Sequence, residues 1–278
     1  MSRFEVDYAN LVTSVIKHGE HRPSRAGFTV SLFGTALRIN CLEHGEFPIL
    51  TQRKIFPNGV LGELAAFLMG AEDLQSFKDC GCNYWDANAA DWAPNQGLEP
   101  KDQLVGRIYG AQWRNWTGDE GTVDQLKNLV RGLKQEPYGR RHLLTTYNPA
   151  ELAEMCLPPC HLLAQFNVRT TRQLDCIVTM RSVDLCLGLP SDIILYATLM
   201  LVLCNETGYT PGVLTFMMGD SHVYRNHIDK FQEHVNRPMH DLPKFKMNPT
   251  ATINDFVAAD LTLIDYNHSG VLSYDFNV

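Results

Sequence analysis

The run from Ile193 to Cys204 is apolar apart from Tyr196 and Thr198. A helix made from it has no polar face to give to water, so it must be covered on every side. At about twelve residues the run is too short to cross a bilayer, which takes about 20. The pattern predicts a long buried helix from about Ser191 to Glu206, with Gly208 beyond its end. The rest of the chain has to supply the layers that enclose it.

Those layers are partly legible. Phe4, Tyr8, Leu11, Val12, Val15 and Ile16 recur at helical spacing, with Gly19 placed to end the helix. Asn58 is a candidate cap for a second helix through Val60, Leu61, Leu64, Phe67 and Leu68, ending at Gly70. Thr122 and Gln125 fit a capping box opening a third, through Val123, Leu126, Leu129, Val130 and Leu133. Thr29 to Phe33 alternates as a strand before Gly34. His161–Val168 and Leu174–Met180, joined by the polar turn at 169–172, read as a hairpin. From about His240 the pattern weakens into short strands and loops. No repeat, low-complexity run or Gly/Ser linker divides the chain. The expectation is a single domain over residues 1–278 of α/β (α+β) class, with sheet and helices packed in layers.

A formal net charge of −7 argues against a protein that coats nucleic acid. A local arginine cluster can still bind a small anion. The segment Met1–Asp7 has no apolar core of a secretory signal, so the cytoplasm is expected, with no membrane or nucleic-acid partner. Eight cysteines then read as reduced thiols. Cys80 and Cys82 lack the spacing of a zinc or redox pair, and Cys41, Cys176, Cys186 and Cys204 read as small buried hydrophobes. No metal is expected.

Cys160, in Pro158-Pro159-Cys160-His161, is a candidate nucleophile. It would work as a thiolate, and a free thiol titrates near ~8.5. Arg181, or the pair Arg140-Arg141, could lower that value. His161 is a poor protease-type partner, because adjacent residues on a strand point to opposite faces. Arg140, Arg141, Arg181 and Arg225 lie close in sequence to Cys160, Ser182, His222 and Tyr224. Forked guanidinium donors and a serine hydroxyl suit a phosphomonoester. A phosphorylated small molecule held near a cysteine is the expected ligand.

In this order the motifs carry a resemblance. They are Phe33-Gly34, Glu63-Leu64 with Phe67-Leu68, Trp85-Asp86, Tyr109 to Arg114, and Arg140-Arg141. They continue with Pro159-Cys160-His161, Gln165-Phe166, Arg181-Ser182 with Asp184, Leu187 to Pro190, and Gly219 to Tyr224. The chain resembles the thymidylate synthases and their nucleotide-hydroxymethylase relatives over nearly its whole length. The resemblance implies their layered fold and a homodimer formed through a sheet face. The reaction it implies is one-carbon transfer from 5,10-methylenetetrahydrofolate, a co-substrate, to C5 of a pyrimidine nucleotide.

By the same resemblance Cys160 adds to C6 of the base, while Glu63 and Tyr109 run proton transfers. Arg181, Ser182 and, after a one-residue shift, Arg25 hold the phosphate, with Arg140 and Arg141 reaching across from the partner subunit. His222 and Tyr224 bind the sugar hydroxyl, and Gln165 belongs to the nucleotide side. Trp85, Asp184, Leu187, Gly188 and the C-terminal Val278 face the folate.

Asp192 departs from the synthase pattern, which has at this position an asparagine that reads uracil. A carboxylate cannot donate to O4 of uracil, whereas cytosine offers an amino donor at C4 and an acceptor at N3. A protonated Asp192, or an ionised one facing an N3-protonated base, fits cytosine. An acid at a helix start is also explained by capping alone. Asn88 stands where synthases carry a second tryptophan, Met180 replaces a glutamine and Met218 a glycine. These changes are expected to line the base and folate region and to favour water over hydride as the last reactant. Trp85 and His161 remain synthase-like.

The expectation is a deoxycytidylate 5-hydroxymethyltransferase, with dCMP methyl transfer and dUMP-directed thymidylate synthesis as alternatives. The cytosine-branch resemblance suggests a bacteriophage setting in the host cytoplasm. His44-Gly45-Glu46 fits half of a zinc deaminase motif, but the matching Pro-Cys-x-x-Cys is missing. A binding module without catalysis is disfavoured by the presence of Cys160, Glu63 and Tyr109 together.

Overall fold

The computed structural model describes residues 3–97, 99, 103–119 and 121–276. The chain opens with helix α1 (Arg3–His18) and strands β1 (Glu20–Ser24) and β2 (Gly27–Ile39), then helices α2 (Pro57–Met69), α3 (Leu74–Asp79), α4 (Asp86–Trp92) and α5 (Tyr109–Arg114). A small hairpin, β3 (Trp116–Gly118) and β4 (Gly121–Val123), leads into α6 (Gln125–Gln135) and β5 (Leu143–Thr145). The second half runs β6 (His161–Val168), β7 (Gln173–Asp184), α7 (Gly188–Thr207), β8 (Thr210–Tyr224), α8 (Ile228–Val235), β9 (Lys244–Met247) and β10 (Leu261–Ile264).

The main sheet has the order β1-β2-β8-β7-β6-β5, with β7 and β8 parallel and the other neighbours antiparallel. A parallel pair needs a crossover, and α7 supplies it. At 20 residues α7 is longer than its apolar run, and by length and composition it could cross a membrane, contrary to the sequence expectation. It is buried without a break from Ile193 to Cys204, between β7 and β8 on one side and α2 and α6 on the other.

Two expected helix starts are corrected. Helix α2 begins at Pro57, whose missing N–H suits the first position, so Asn58 lies inside it and is no cap. Helix α6 is capped by Asp124, which accepts from Lys127 N at 2.9 Å, and Thr122 belongs to β4. Gln125 instead ties α6 to β5, donating to Thr145 O at 2.9 Å and accepting from Thr145 N at 3.0 Å. The β6–β7 hairpin and the Gly70 and Gly208 helix ends match expectation.

A kink across three central strands sets up the site. On β7 the buried positions run 174, 176, 178 and 180 and then switch to 183. On β8 they run 214, 216 and 218 and then switch to 221 and 223. Gly34 on β2 has φ +83°, in the region that favours glycine. Opposite it, a Cβ at Gly219 would come within 2.8 Å of Arg181 O. A switch of parity re-aims every side chain beyond it, as bulges do. Ser182, Asp184, His222 and Tyr224 all lie beyond the switch.

The face of the sheet turned away from α7 is open. It exposes Leu143, Ile177 and Met217, and Leu163, Thr179, Met217 and Ala36 are register partners across four strands of it.

Candidate functional site

Cys160 sits just before β6, in a cavity of about 780 Å³ that also opens onto Glu63, Trp85, Tyr109, Arg181 and Asp192. Its N–H donates to Tyr109 Oη at 2.8 Å. Arg181 clamps the loop before it, donating from Nε to Pro159 O at 2.8 Å and from Nη2 to Pro158 O at 2.7 Å. The same Nη2 lies 3.7 Å from Cys160 Sγ. The guanidinium lowers the thiol's pKa as expected, but burial outweighs it and Asp192 adds to the rise, so the thiol titrates above its ordinary range. The expected depression of this pKa is therefore corrected.

Glu63 lies on α2, buried. Oε1 accepts from Trp85 Nε1 and Oε2 from Tyr84 Oη, both at 2.8 Å. Burial raises its pKa to about 7, against the Tyr84 hydrogen bond, His161 and the Trp85 hydrogen bond, which all lower it. A carboxyl that titrates near neutrality can both give and take a proton. Tyr109 stays protonated, its pKa driven well up by burial.

His161 does not turn away from Cys160's cavity, as strict strand alternation predicts, because Cys160 lies on the bend before β6 and not on the strand itself. Its ring is committed on both edges. Nε2 is 2.9 Å from Asp192 Oδ1, and Nδ1 is 3.2 Å from the hydroxyl of Tyr196 on α7. These partners assign the tautomer, with the proton on Nε2 facing the carboxylate. Asp192, in the second turn of α7, is half-buried and lines the cavity. Its side chain accepts from His161 rather than from the backbone of its own helix, so capping alone does not explain it.

Ser182, His222, Tyr224 and Arg25 line the other end of the cavity. Arg25 is exposed and only loosely paired, 3.9 Å from Asp91. Asp184 also faces the cavity, yet its Oδ1 already accepts from Cys186 N at 2.8 Å and Leu187 N at 3.3 Å, shaping the turn into α7. Leu187 and Gly188 follow it there. Asp184, Cys186 and His227 bring ligand-type atoms within 4.8 Å of one another, but Asp184 serves the turn and burial drives the Cys186 thiol well up. His44 and Glu46 are apart from the cavity, Glu46 pairing with Lys244 at 3.2 Å.

Some expected residues are elsewhere. Gln165 is exposed on β6 beside buried Ala164 and Phe166, so it points to the open sheet face and not into the cavity. Met180 and Met218, register partners on β7 and β8, are buried in the core short of the parity switch and do not line the base region. Arg140 and Arg141, expected to serve the partner's site, are exposed ahead of β5 and outside the cavity of their own chain. Val278 lies outside the described residues. Asn88 does line the cavity.

Two contributors escaped the sequence reading. Tyr84 reaches Glu63 from the position next to Trp85, where its only signal was that adjacency. Arg22 on β1 pairs with Asp220, which also accepts from Ser31 Oγ at 2.7 Å. Both residues line the cavity, and only the β1–β2–β8 pairing brings them together.

A family model described as thymidylate synthase matches residues 6–278. The chain is 38% identical over 277 residues to a bifunctional dihydrofolate reductase-thymidylate synthase of Leishmania major, covering 94% of this chain and 53% of that protein. It is 34% identical to thymidylate synthase 1/2 of Encephalitozoon cuniculi (strain GB-M1), with 95% and 94% covered. It is 35% identical over 286 residues to thymidylate synthase of Saccharomyces cerevisiae (strain ATCC 204508 / S288c), with 95% and 93% covered. The chain thus spans about half the length of the bifunctional relatives and nearly all of the other two.

Proposed function

The chain belongs to the thymidylate synthase family, and from that premise we propose that it transfers the one-carbon unit of methylenetetrahydrofolate to C5 of dCMP, finishing with water to give the 5-hydroxymethyl nucleotide. Residues 1–278 act as a single catalytic domain, working as a homodimer.

In this reading the Cys160 thiolate bonds to C6 of the base and makes C5 nucleophilic toward the folate methylene; C5 then loses its proton, tetrahydrofolate leaves, and water adds to the freed methylene carbon as the cysteine sulfur departs from C6. Arg181 steadies the thiolate. Glu63, poised near neutral pH, relays protons through water, and Tyr109 assists removal of the C5 proton. Arg181, Ser182 and Arg25, with Arg140 and Arg141 of the second subunit, hold the phosphate. His222 and Tyr224 take the sugar hydroxyl. Trp85, Asp184, Leu187, Gly188 and the C-terminus face the folate.

The base assignment rests on the Asp192 carboxylate beside Cys160. With one oxygen taken by His161, the other can accept from the cytosine amino group, and its charge favours a proton on N3. Protonation at N3 also makes C6 more electrophilic. The same carboxylate repels O4 of uracil. Asn88 on the cavity wall supports the water step, since an amide can hold a water where an indole excludes one.

The relatives' names, together with Trp85 and His161, favour a second reading in which dUMP is methylated. Incubation of each nucleotide with methylenetetrahydrofolate separates these readings, with mass analysis of the product and absorbance detection of dihydrofolate. Hydroxymethyl-dCMP without dihydrofolate supports the proposal. Methyl-dCMP with dihydrofolate keeps the base assignment and removes the water step. Product from dUMP alone removes both.

A further inference from the structure

Two donors meet the Glu63 carboxylate, and they differ in kind. The Trp85 indole can only donate, whereas the Tyr84 hydroxyl can donate or accept. Tyr84 Oη is 2.8 Å from Glu63 Oε2 and 3.5 Å from Gly59 O, one turn earlier on α2. The loop that carries Tyr84 is pressed onto this helix, because a Cβ at Gly62 would come within 2.3 Å of Cys80 O. Tyr84 as a residue is 41% exposed, while its hydroxyl points inward at the carboxylate.

A buried carboxyl that changes charge needs a neighbour that changes role with it, since an unmatched polar pair in such a place is expensive. Trp85 cannot do this. When Glu63 is ionised, the Tyr84 hydroxyl donates to Oε2. When Glu63 takes a proton on Oε2, that O–H can donate to Tyr84 Oη, and the tyrosine hydrogen can swing to Gly59 O. Tyr84 keeps its own proton throughout, and the transferred proton comes from cavity water and returns to it. We propose that Tyr84 is a positioning residue for the one-carbon transfer, a swivelling hydrogen-bond partner that lets Glu63 cycle between its two charge states in place. The inference rests on the reading of Glu63 as the proton-relay group.

The other groups facing Glu63 are His161 and Asp192 across the cavity, Cys82 from the loop and Tyr109 from α5. Of these only His161 acts in the same direction as Tyr84. Loss of the hydroxyl therefore leaves burial less opposed.

The test compares wild type, Tyr84→Phe, Glu63→Gln and the double variant, with C5-tritiated dCMP and dUMP as alternative probes. Tritium release is followed against pH, and nucleotide affinity is measured separately by equilibrium binding. In Tyr84→Phe, kcat near pH 7 should fall roughly 10- to 100-fold, as for a lost hydrogen bond to a charged group. The acidic limb of the profile should move up by about one to two pH units, with nucleotide affinity unchanged. In the Glu63→Gln background the same change should have no further effect. A Tyr84→Phe profile that stays in place while Glu63→Gln is inactive overturns the proposal alone. So does a loss confined to nucleotide binding. Full activity in Glu63→Gln overturns the relay reading beneath it.

Discussion

The Nε2 atom of His161 lies 2.9 Å from Oδ1 of Asp192, and the far edge of the same ring is held by Tyr196 at 3.2 Å. The histidine beside the nucleophile is thus spent on orienting a carboxylate, and the orientation of Asp192 is inherited from the core helix α7. An amide at 192 would turn its oxygen to the His161 N–H and its NH₂ toward the base, presenting a donor that suits O4 of uracil.

Asp192→Asn should therefore change the preferred base. The ratio of kcat/KM for dCMP over dUMP is expected to fall by about 100-fold or more, the scale on which mismatched buried hydrogen-bonding groups discriminate. Steady-state kinetics with both nucleotides measures it. An unchanged ratio would mean that Asp192 does not read the base.

The same carboxylate bears on the nucleophile. Burial raises the Cys160 pKa, Arg181 opposes the rise and Asp192 adds to it. In the free enzyme the pH dependence of iodoacetamide alkylation at Cys160 should show an inflection above the ~8.5 of a free thiol. It should move down in Asp192→Asn and up in Arg181→Met. Movement in the opposite senses would show that charge is not what tunes this thiol. Cys160→Ala should abolish product formation, read by mass analysis.

The cavity lining was largely readable in the sequence because most of its residues stand at fixed positions on strands and helix ends. Ser182, Asp184, His222 and Tyr224 belong to short contiguous runs, Arg181 to Asp184 and Gly219 to Tyr224. What the sequence hid depends on tertiary geometry. Gln165 and Met180 were assigned to the site by proximity in a motif, yet a strand carries alternate residues to opposite faces. The kink through Gly34, Arg181 and Gly219 decides which face that is, and no local pattern announces it. Tyr84 and Arg22 were missed for the same reason, since their partners lie 21 and 198 residues away. The cap of α6 lies two positions beyond Thr122 because Asp124 offers an equally good one, whereas α2 starts at Pro57 with no side-chain cap at all.

Glu63 also gives the fold a pH dependence. Its carboxyl titrates at 4.5 when freely exposed to water and at about 7 in the folded chain, so the folded state holds the proton more tightly. Its contribution is fully present below pH 4.5 and is lost as the pH rises through 7, by on the order of 3 kcal/mol. Glu63→Gln should match wild type near pH 4.5 and be more stable at pH 8 by a similar amount. Urea midpoints at the two pH values test this, and equal pH slopes for the two proteins would count against a neutral resting state of Glu63.

The proposed homodimer makes a sharper demand, because Arg140 and Arg141 are exposed and outside the cavity of their own chain. The open sheet face, where Ile177 and Met217 are exposed in a sheet packed against α1 and α7, is the surface through which a second copy would bring them in. The double variant Arg140→Ala/Arg141→Ala lacks the arginines it lends, and Cys160→Ala lacks the nucleophile. Each homodimer should be nearly inactive. A heterodimer of the two has one site with an intact cysteine and intact arginines from the other chain. Equal amounts mixed, unfolded and refolded together should recover about a quarter of wild-type activity, since half of a random mixture is heterodimer with one working site in two. Met217→Glu on both chains should remove both the recovery and the dimer in sedimentation. If the arginines serve their own chain, mixing restores nothing.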